Sequence, residues 1–175
     1  MLYAKYYFIP PFVSIKPFCG RRQKTQKTTI GVLVRLLIIE DNIDRIAQFT
    51  DWEPADMHFV FATSPGGAIG LINRDKGLVY CGVCLDHDLQ EQRVSESEGT
   101  FSGTQIATAL AHHFFYEIPV LIHSMNETKA SGMAQTLIKA DFCVTRIPMT
   151  DLSQQKFSDW LVEVRENWSA IESLK

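Results

Sequence analysis

Five apolar runs recur along this chain, and polar or helix-patterned segments separate them. They are "RLLIIE" (35–40), "MHFVFA" (57–62), "LVYCGVCLD" (78–86), "IPVLIHS" (118–124) and "DFCVTR" (141–146). Continuous apolar runs of this length, rather than alternating ones, predict strands buried on both faces. The segments between them carry helix signals. "DNIDRIAQFTDW" places Ile43, Ile46, Ala47 and Phe49 at helical spacing, and Ser64 followed by Pro65 reads as an N-cap and first turn. "SGTQIATALAHHFFY" and "NETKASGMAQTLIKA" read as helices, and the last helix carries Phe157, Trp160, Leu161, Val164 and Trp168 on one stripe of core residues. Residues 87–100, polar and without periodicity, read as a loop.

Strict strand–helix alternation implies a parallel sheet covered by helices on both faces. The expected fold is therefore α/β, a doubly wound five-stranded parallel sheet in the flavodoxin-like order 2-1-3-4-5. Right-handed crossovers bring all five strand C-termini to one edge, and open sheets of this kind bind ligands there.

With 175 residues, 46 % of them hydrophobic, the chain can bury one good core. The net charge of −3 conceals an asymmetry: residues 1–32 hold six basic residues and no acid, whereas the remainder carries 11 basic and 20 acidic residues. An acidic body repels phosphate backbones, so no nucleic acid is expected on the folded part. Residues 1–32 have three prolines, scattered aromatics and neither helical nor strand periodicity. They are expected to be a disordered basic tail, or a mis-assigned start with translation beginning near Val32 or Val34. The folded domain is then 33–175. No run approaches the ~18 apolar residues of a membrane span, and the tail lacks the layout of a signal peptide. The four cysteines (Cys19, Cys81, Cys84, Cys143) lack a disulfide framework. Cys81 and Cys84, three apart in a strand, are expected on opposite faces, a poor zinc clip. Both read as small apolar core residues of a protein in a reducing cytoplasm.

At the carboxyl edge the strands deliver chemistry. Strand one brings Glu40 and Asp41; strand three brings Asp86, His87 and Asp88; strand four brings His123 and Ser124, with Asn126 beyond; strand five brings Arg146. Strands one and three are neighbours in the expected order, so Glu40, Asp41 and Asp86 crowd together and call for a cation. All-oxygen ligation suits Mg²⁺, or Mn²⁺. Taken singly, each residue has a plainer use. An Asp at a strand end caps a turn, Ser124 and Asn126 cap the next helix, His123 is a core histidine, and His87 is a solvated loop residue.

An acidic pair after strand one, an Asp after strand three, a Ser after strand four and a cation after strand five resemble the receiver domain of two-component response regulators. The resemblance covers about residues 34–172. It implies that Glu40 and Asp41 hold Mg²⁺, that Asp86 matches the phospho-accepting aspartate, and that the Asp88 carbonyl matches the third protein ligand of the metal. Ser124 matches the hydroxyl that contacts the phosphoryl group, and Arg146 the conserved lysine. Two departures stand out: His87-Asp88-Leu89 replaces the usual Met-Pro turn, and the switch aromatic falls on Cys143.

Together, "LDHDL", "IHSMN" and "RIPM" are more similar to the cyclic-phosphate-processing receiver-like branch. That resemblance implies hydrolysis of a cyclic phosphate ester, with Asp86, His87 and His123 as catalytic residues. Opening a cyclic phosphodiester needs a base and an acid. His87 and His123, on neighbouring strands and with an ordinary pKa of about 6.5, are the expected pair. Ser124, Asn126 and Arg146 are expected on the phosphate. Two alternatives remain open. One is a single-domain response regulator phosphorylated on Asp86, with a phosphodonor or histidine kinase as partner. The other is a degenerate receiver that only binds.

Overall fold

The computed structural model describes residues 34–75, 79–87, 89, 92–95, 99–114 and 117–173. The expected basic tail, with Cys19, lies outside them. One folded unit spans Gly31–Lys175.

The apolar runs form the strands expected of them. These are β1 (Val34–Ile39), β2 (Met57–Ala62), β3 (Tyr80–Asp86), β6 (Val120–His123) and β7 (Val144–Arg146), all parallel, in the order β2-β1-β3-β6-β7. Counting only these five, that is the order 2-1-3-4-5. Side chains alternate along each strand and so divide the core into two layers. Leu37, Ile39, Val83, Leu85, Val120 and Ile122 face α2 (Pro65–Arg74), α3 (Gly103–His113) and α4 (Glu127–Ile138). Leu36, Ile38, Cys84 and Leu121 face α1 (Ile43–Asp51) and α5 (Gln154–Glu172). The stripe Phe157, Trp160, Leu161, Val164 and Trp168 of α5 fills this second layer, as its spacing predicts. Phe157 lies 5.1 Å from Phe49 of α1 and 5.9 Å from Phe59 of β2, ring centre to ring centre. Among the described residues no helix is long and apolar enough to cross a membrane.

Four local expectations fail, each for an identifiable reason. The segment read as a loop contains an antiparallel pair, β4 (Gln92–Ser95) and β5 (Gly99–Phe101). Strands this short leave no readable alternation, and backbone pairing alone defines them. Ile43, placed on the buried face of α1, is 81 % exposed, because it is the first residue of the helix and precedes the turn that packs. The fifth strand is shorter than "DFCVTR". Asp141 takes a left-handed conformation (φ 66°), and the Asp141 and Phe142 amides donate to the Ile138 and Leu137 carbonyls. Half of that segment therefore closes the end of α4. Finally, Cys81 and Cys84 lie in the same layer rather than on opposite faces. Arg35 pairs with Tyr80 but Leu36 with Gly82, so Cys81 is an extra residue that breaks the alternation. Burial pushes the Cys81 thiol up to about 12 and Cys84 well above its usual value, which leaves both as inert core groups. Cys143 is exposed.

The helix α5 lies close on the sheet because Gly82 has no side chain. A Cβ there would stand 3.2 Å from Leu36 Cδ1, 3.2 Å from the Pro119 carbonyl oxygen and 3.3 Å from Val164 Cγ1. Gly82→Ala is expected to destabilise the domain by about 1–3 kcal/mol through overpacking. Denaturant titration reads this directly, and an unchanged midpoint would show that α5 can lift without cost.

Candidate functional site

The strand register sets three polar side chains in a row at the carboxyl edge. Ile39 pairs with Leu85, and Asp86 with His123. Glu40, Asp86 and His123 therefore follow one another across β1, β3 and β6, on the face toward α1. All three are 0 % exposed. Asp41, next to Glu40 and half-buried, completes a carboxylate cluster. One oxygen from each of Glu40, Asp41 and Asp86 lies within 4.8 Å of the others.

Helix α1 adds a residue that the sequence reading passed over. Asn42 caps the helix, its side-chain oxygen accepting from the Arg45 amide at 3.1 Å, while its own amide donates to Glu40 Oε1 at 2.9 Å. Arg45 therefore sits in the first turn. Helical side chains lean toward the N-terminus, so its guanidinium reaches back over the sheet edge. Arg45 Nη2 lies 3.1 Å from Glu40 Oε1 and 2.9 Å from Asp86 Oδ2, with the side chain 19 % exposed. The signal was present in "EDNIDR": a capping residue, then a cation three positions on, immediately after clustered acids.

Burial dominates the electrostatics. It raises Glu40 from 4.5 to about 7, reinforced by the charge of Asp86 and opposed by the Asn42 amide and Arg45. Burial likewise lowers His123 to about 3, with the Arg45 charge adding to it. His123 is thus a neutral core imidazole, its ring centre 5.4 Å from that of Phe49. Its Nδ1 stands 3.9 Å from Glu40 Oε2, and neither ring nitrogen has a hydrogen-bond partner among the described residues. A proton shuttle with an ordinary pKa near neutrality is not what this environment makes.

The structure separates the two histidines expected to act together. His87 follows Asp86, so alternation sends it to the other face. It is buried against the start of α3. A Cβ on Gly103 would meet its ring Cδ2 and its Cα, each at 3.2 Å. His87 thus packs toward the start of α3, whereas His123 lies on the α1 side beside Phe49. Alternation alone contained this result, because Asp86 and His123 share a register position.

The phosphate-side residues lie at the same edge but are engaged elsewhere. Ser124 Oγ accepts the Asn126 amide at 2.9 Å, and Asn126 caps α4 by accepting the Lys129 amide at 3.1 Å. Arg146 is exposed and turned onto α4, with contacts of 3.3 Å to Ser131 Oγ and 3.4 Å to the Glu127 carbonyl. Ser124 and Arg146 share a cavity of about 10 Å³, room for one water. Asp88 lies outside the described residues.

The donor set suits a hard divalent cation. Its oxygens are carboxylate, they converge, and the buried Glu40 Oε2 has no hydrogen-bond partner among the described residues.

A family model, the cyclic-phosphate processing receiver domain, matches residues 36–139. The chain belongs to that family. The match spans β1 to the end of α4 and stops short of Arg146. Solved structures share the fold of this receiver domain. A CheY-like response regulator receiver domain from Methanospirillum hungatei JF-1 superposes with a TM-score of 0.59 at 12 % identity, covering 79 % of this chain and 99 % of that one. The response regulator domain of Thermotoga maritima CheB gives 0.55 at 15 % identity, covering 78 % and 96 %. The receiver domain of sensor histidine kinase PA1611 from Pseudomonas aeruginosa PAO1, with a magnesium ion coordinated in its active site cleft, gives 0.54 at 12 %, covering 74 % and 95 %. Identities this low speak for the fold alone. No curated protein matches the sequence significantly.

Glu40 gives the receiver domain a pH signature. The stability held by its neutral form is fully present below its ordinary 4.5 and is lost as pH rises through about 7. Glu40→Gln cannot ionise. In EDTA its melting temperature should gain on wild type steadily across that window, and a constant gap would show that folding does not raise the Glu40 pKa.

Proposed function

We propose that this receiver domain hydrolyses a cyclic phosphate ester with the help of Mg²⁺ or Mn²⁺. The convergence of Glu40, Asp41 and Asp86 at the carboxyl edge carries the reading, and the family description supports it. Glu40, Asp41 and Asp86 hold the cation, with the Asp88 carbonyl as a further ligand. A divalent cation there would supply charge neutralisation for the phosphate and make water easier to deprotonate. Water adds to phosphorus, one ring P–O bond breaks, and the departing oxygen takes a proton, which opens the cyclic diester to a monoester.

The protein's own share is positioning and charge. Ser124 donates to a non-bridging oxygen, and Arg146 places its fork beside it. The contacts that turn Arg146 onto α4 are long and exposed, so releasing it costs little. Asn126 keeps α4 started at the pocket rim. His123 has a different part from the one its position suggested: a neutral wall behind Glu40 that excludes water. His87 belongs to the packing of α3, and the acid–base pair is not part of this reading.

A second reading rests on Asp86. It stands at the tip of β3 beside Glu40 and Asp41, with Ser124 just after β6 and Arg146 at the end of β7, the layout of a phospho-accepting receiver pocket. Asp86 would then take a phosphoryl group from a small phosphodonor or a histidine kinase.

Phosphorus NMR of a nucleoside 2′,3′-cyclic phosphate with protein and Mn²⁺ separates the two. Wild type should yield the monoester, and Asp86→Ala should lose about 10²-fold or more of that rate. No conversion by protein that binds Mn²⁺ would remove the hydrolase reading. An acyl-phosphate resonance with acetyl phosphate, absent in Asp86→Ala, would then establish the second.

A further inference from the structure

The contacts of Arg45 are those of a side chain resting on the wrong partner. A guanidinium is a planar fork that suits the two oxygens of one carboxylate or phosphate. Here a single nitrogen, Nη2, serves two different carboxylates, Glu40 Oε1 at 3.1 Å and Asp86 Oδ2 at 2.9 Å. The rest of the fork is poorly used, since Arg45 Nε is buried with no hydrogen-bond partner among the described residues. The acid side is equally incomplete. Glu40 is 0 % exposed, yet its Oε2 has no hydrogen-bond partner there either, and the unpartnered, fully buried His123 points at it from 3.9 Å. Unmet buried polar atoms on both sides of one ion pair mean that each side awaits a better ligand.

The missing ligands have opposite charge. Glu40 and Asp86 present oxygens to a cation, and Nη2 stands against two of those oxygens now. Arg45, 19 % exposed, reaches solvent, whereas Glu40 and Asp86 beneath it do not. A divalent cation cannot take Glu40 and Asp86 while the guanidinium keeps both. Once released, Arg45 remains tethered to the first turn of α1 by the Asn42 cap, within reach of whatever anion enters the same pocket.

We propose that Arg45 is a phosphate-binding residue held in reserve. It neutralises Glu40 and Asp86 while the cation site is vacant, and it turns its fork to the phosphate oxygens when a divalent cation takes those acids. The inference rests on the metal-dependent reading above and adds a substrate contact on the β1–α1 side, opposite Arg146. Cation and phosphate then bind cooperatively, since each relieves a group that the other leaves unpaired.

Two binding measurements on the full chain test this, neither depending on turnover. Free Mn²⁺ followed by electron paramagnetic resonance gives the metal affinity, and inorganic phosphate is titrated into Mn²⁺-saturated protein by calorimetry. Arg45→Met should bind Mn²⁺ roughly tenfold more tightly than wild type, and phosphate roughly tenfold more weakly, since hydrogen bonds to charged groups are worth about that much. Arg45→Lys keeps the charge on a shorter stem, so its Mn²⁺ affinity should fall between the two. It also serves if the methionine variant fails to fold. Equal Mn²⁺ affinity in wild type and variants would overturn the inference and leave the metal site standing. Tighter Mn²⁺ binding without weaker phosphate binding would overturn the phosphate role. Failure of every form to bind Mn²⁺ would overturn the metal reading, and this inference with it.

Discussion

Two carboxylates buried side by side must find a positive charge or surrender one of their own. Glu40 and Asp86 are in that position, placed there by the register of β1 against β3, and Arg45 meets it. Much of the α1 side follows from this contact. Arg45 can reach the acids only because Asn42 starts the helix where it does. One turn further on, Phe49 packs on His123 and on Phe157 of α5. The ion pair thus joins the polar edge of the sheet to the aromatic layer beneath it. The protonation of Glu40 is the remaining adjustment. At about 7, its pKa lets the cluster shed one negative charge when no cation is present.

The sheet also decides which residues can share a task. Glu40, Asp86 and His123 occupy one register row and one face, so they act on a common volume. His87, one residue along from Asp86, belongs to the opposite layer and packs under Gly103. Proximity in sequence is misleading here, because adjacent strand residues are divided by the thickness of the sheet. The carboxyl edge on this side thus presents carboxylates with Arg45, and Ser124 with Arg146.

The fold was legible because continuous apolar runs and helix caps are local signals. "RLLIIE", "MHFVFA" and the Ser64-Pro65 start each appear where expected. The acidic cluster was legible too, since strand order converts sequence positions into neighbours. What escaped depended on side-chain direction. Arg45 was overlooked because it lies in a helix, and only its lean toward the N-terminus brings it to the strand tips. His123 was read with an ordinary pKa because burial is not written in the residue type. Arg146 was placed at the strand end correctly, yet whether its long side chain turns to the pocket or to α4 is settled by Ser131 and the Glu127 carbonyl. The Cys81 bulge, a single extra residue, inverted a face assignment that rested on strict alternation.

Charge balance connects these observations. With all three acids ionised, Arg45 leaves the cluster two positive charges short of neutrality, a deficit that a divalent cation would supply. The balance then holds only while Arg45 stays nearby, and an anionic ester brings a further negative charge. Arg146, the other cation at this edge, stands on the far side beside Ser124. Neither arginine is committed to an ideal partner. Arg45 spends one nitrogen on two acids, and Arg146 makes long contacts at the surface of α4. Under the proposed reading, two under-used forks beside crowded acids suit a cation and a phosphate together, rather than either alone.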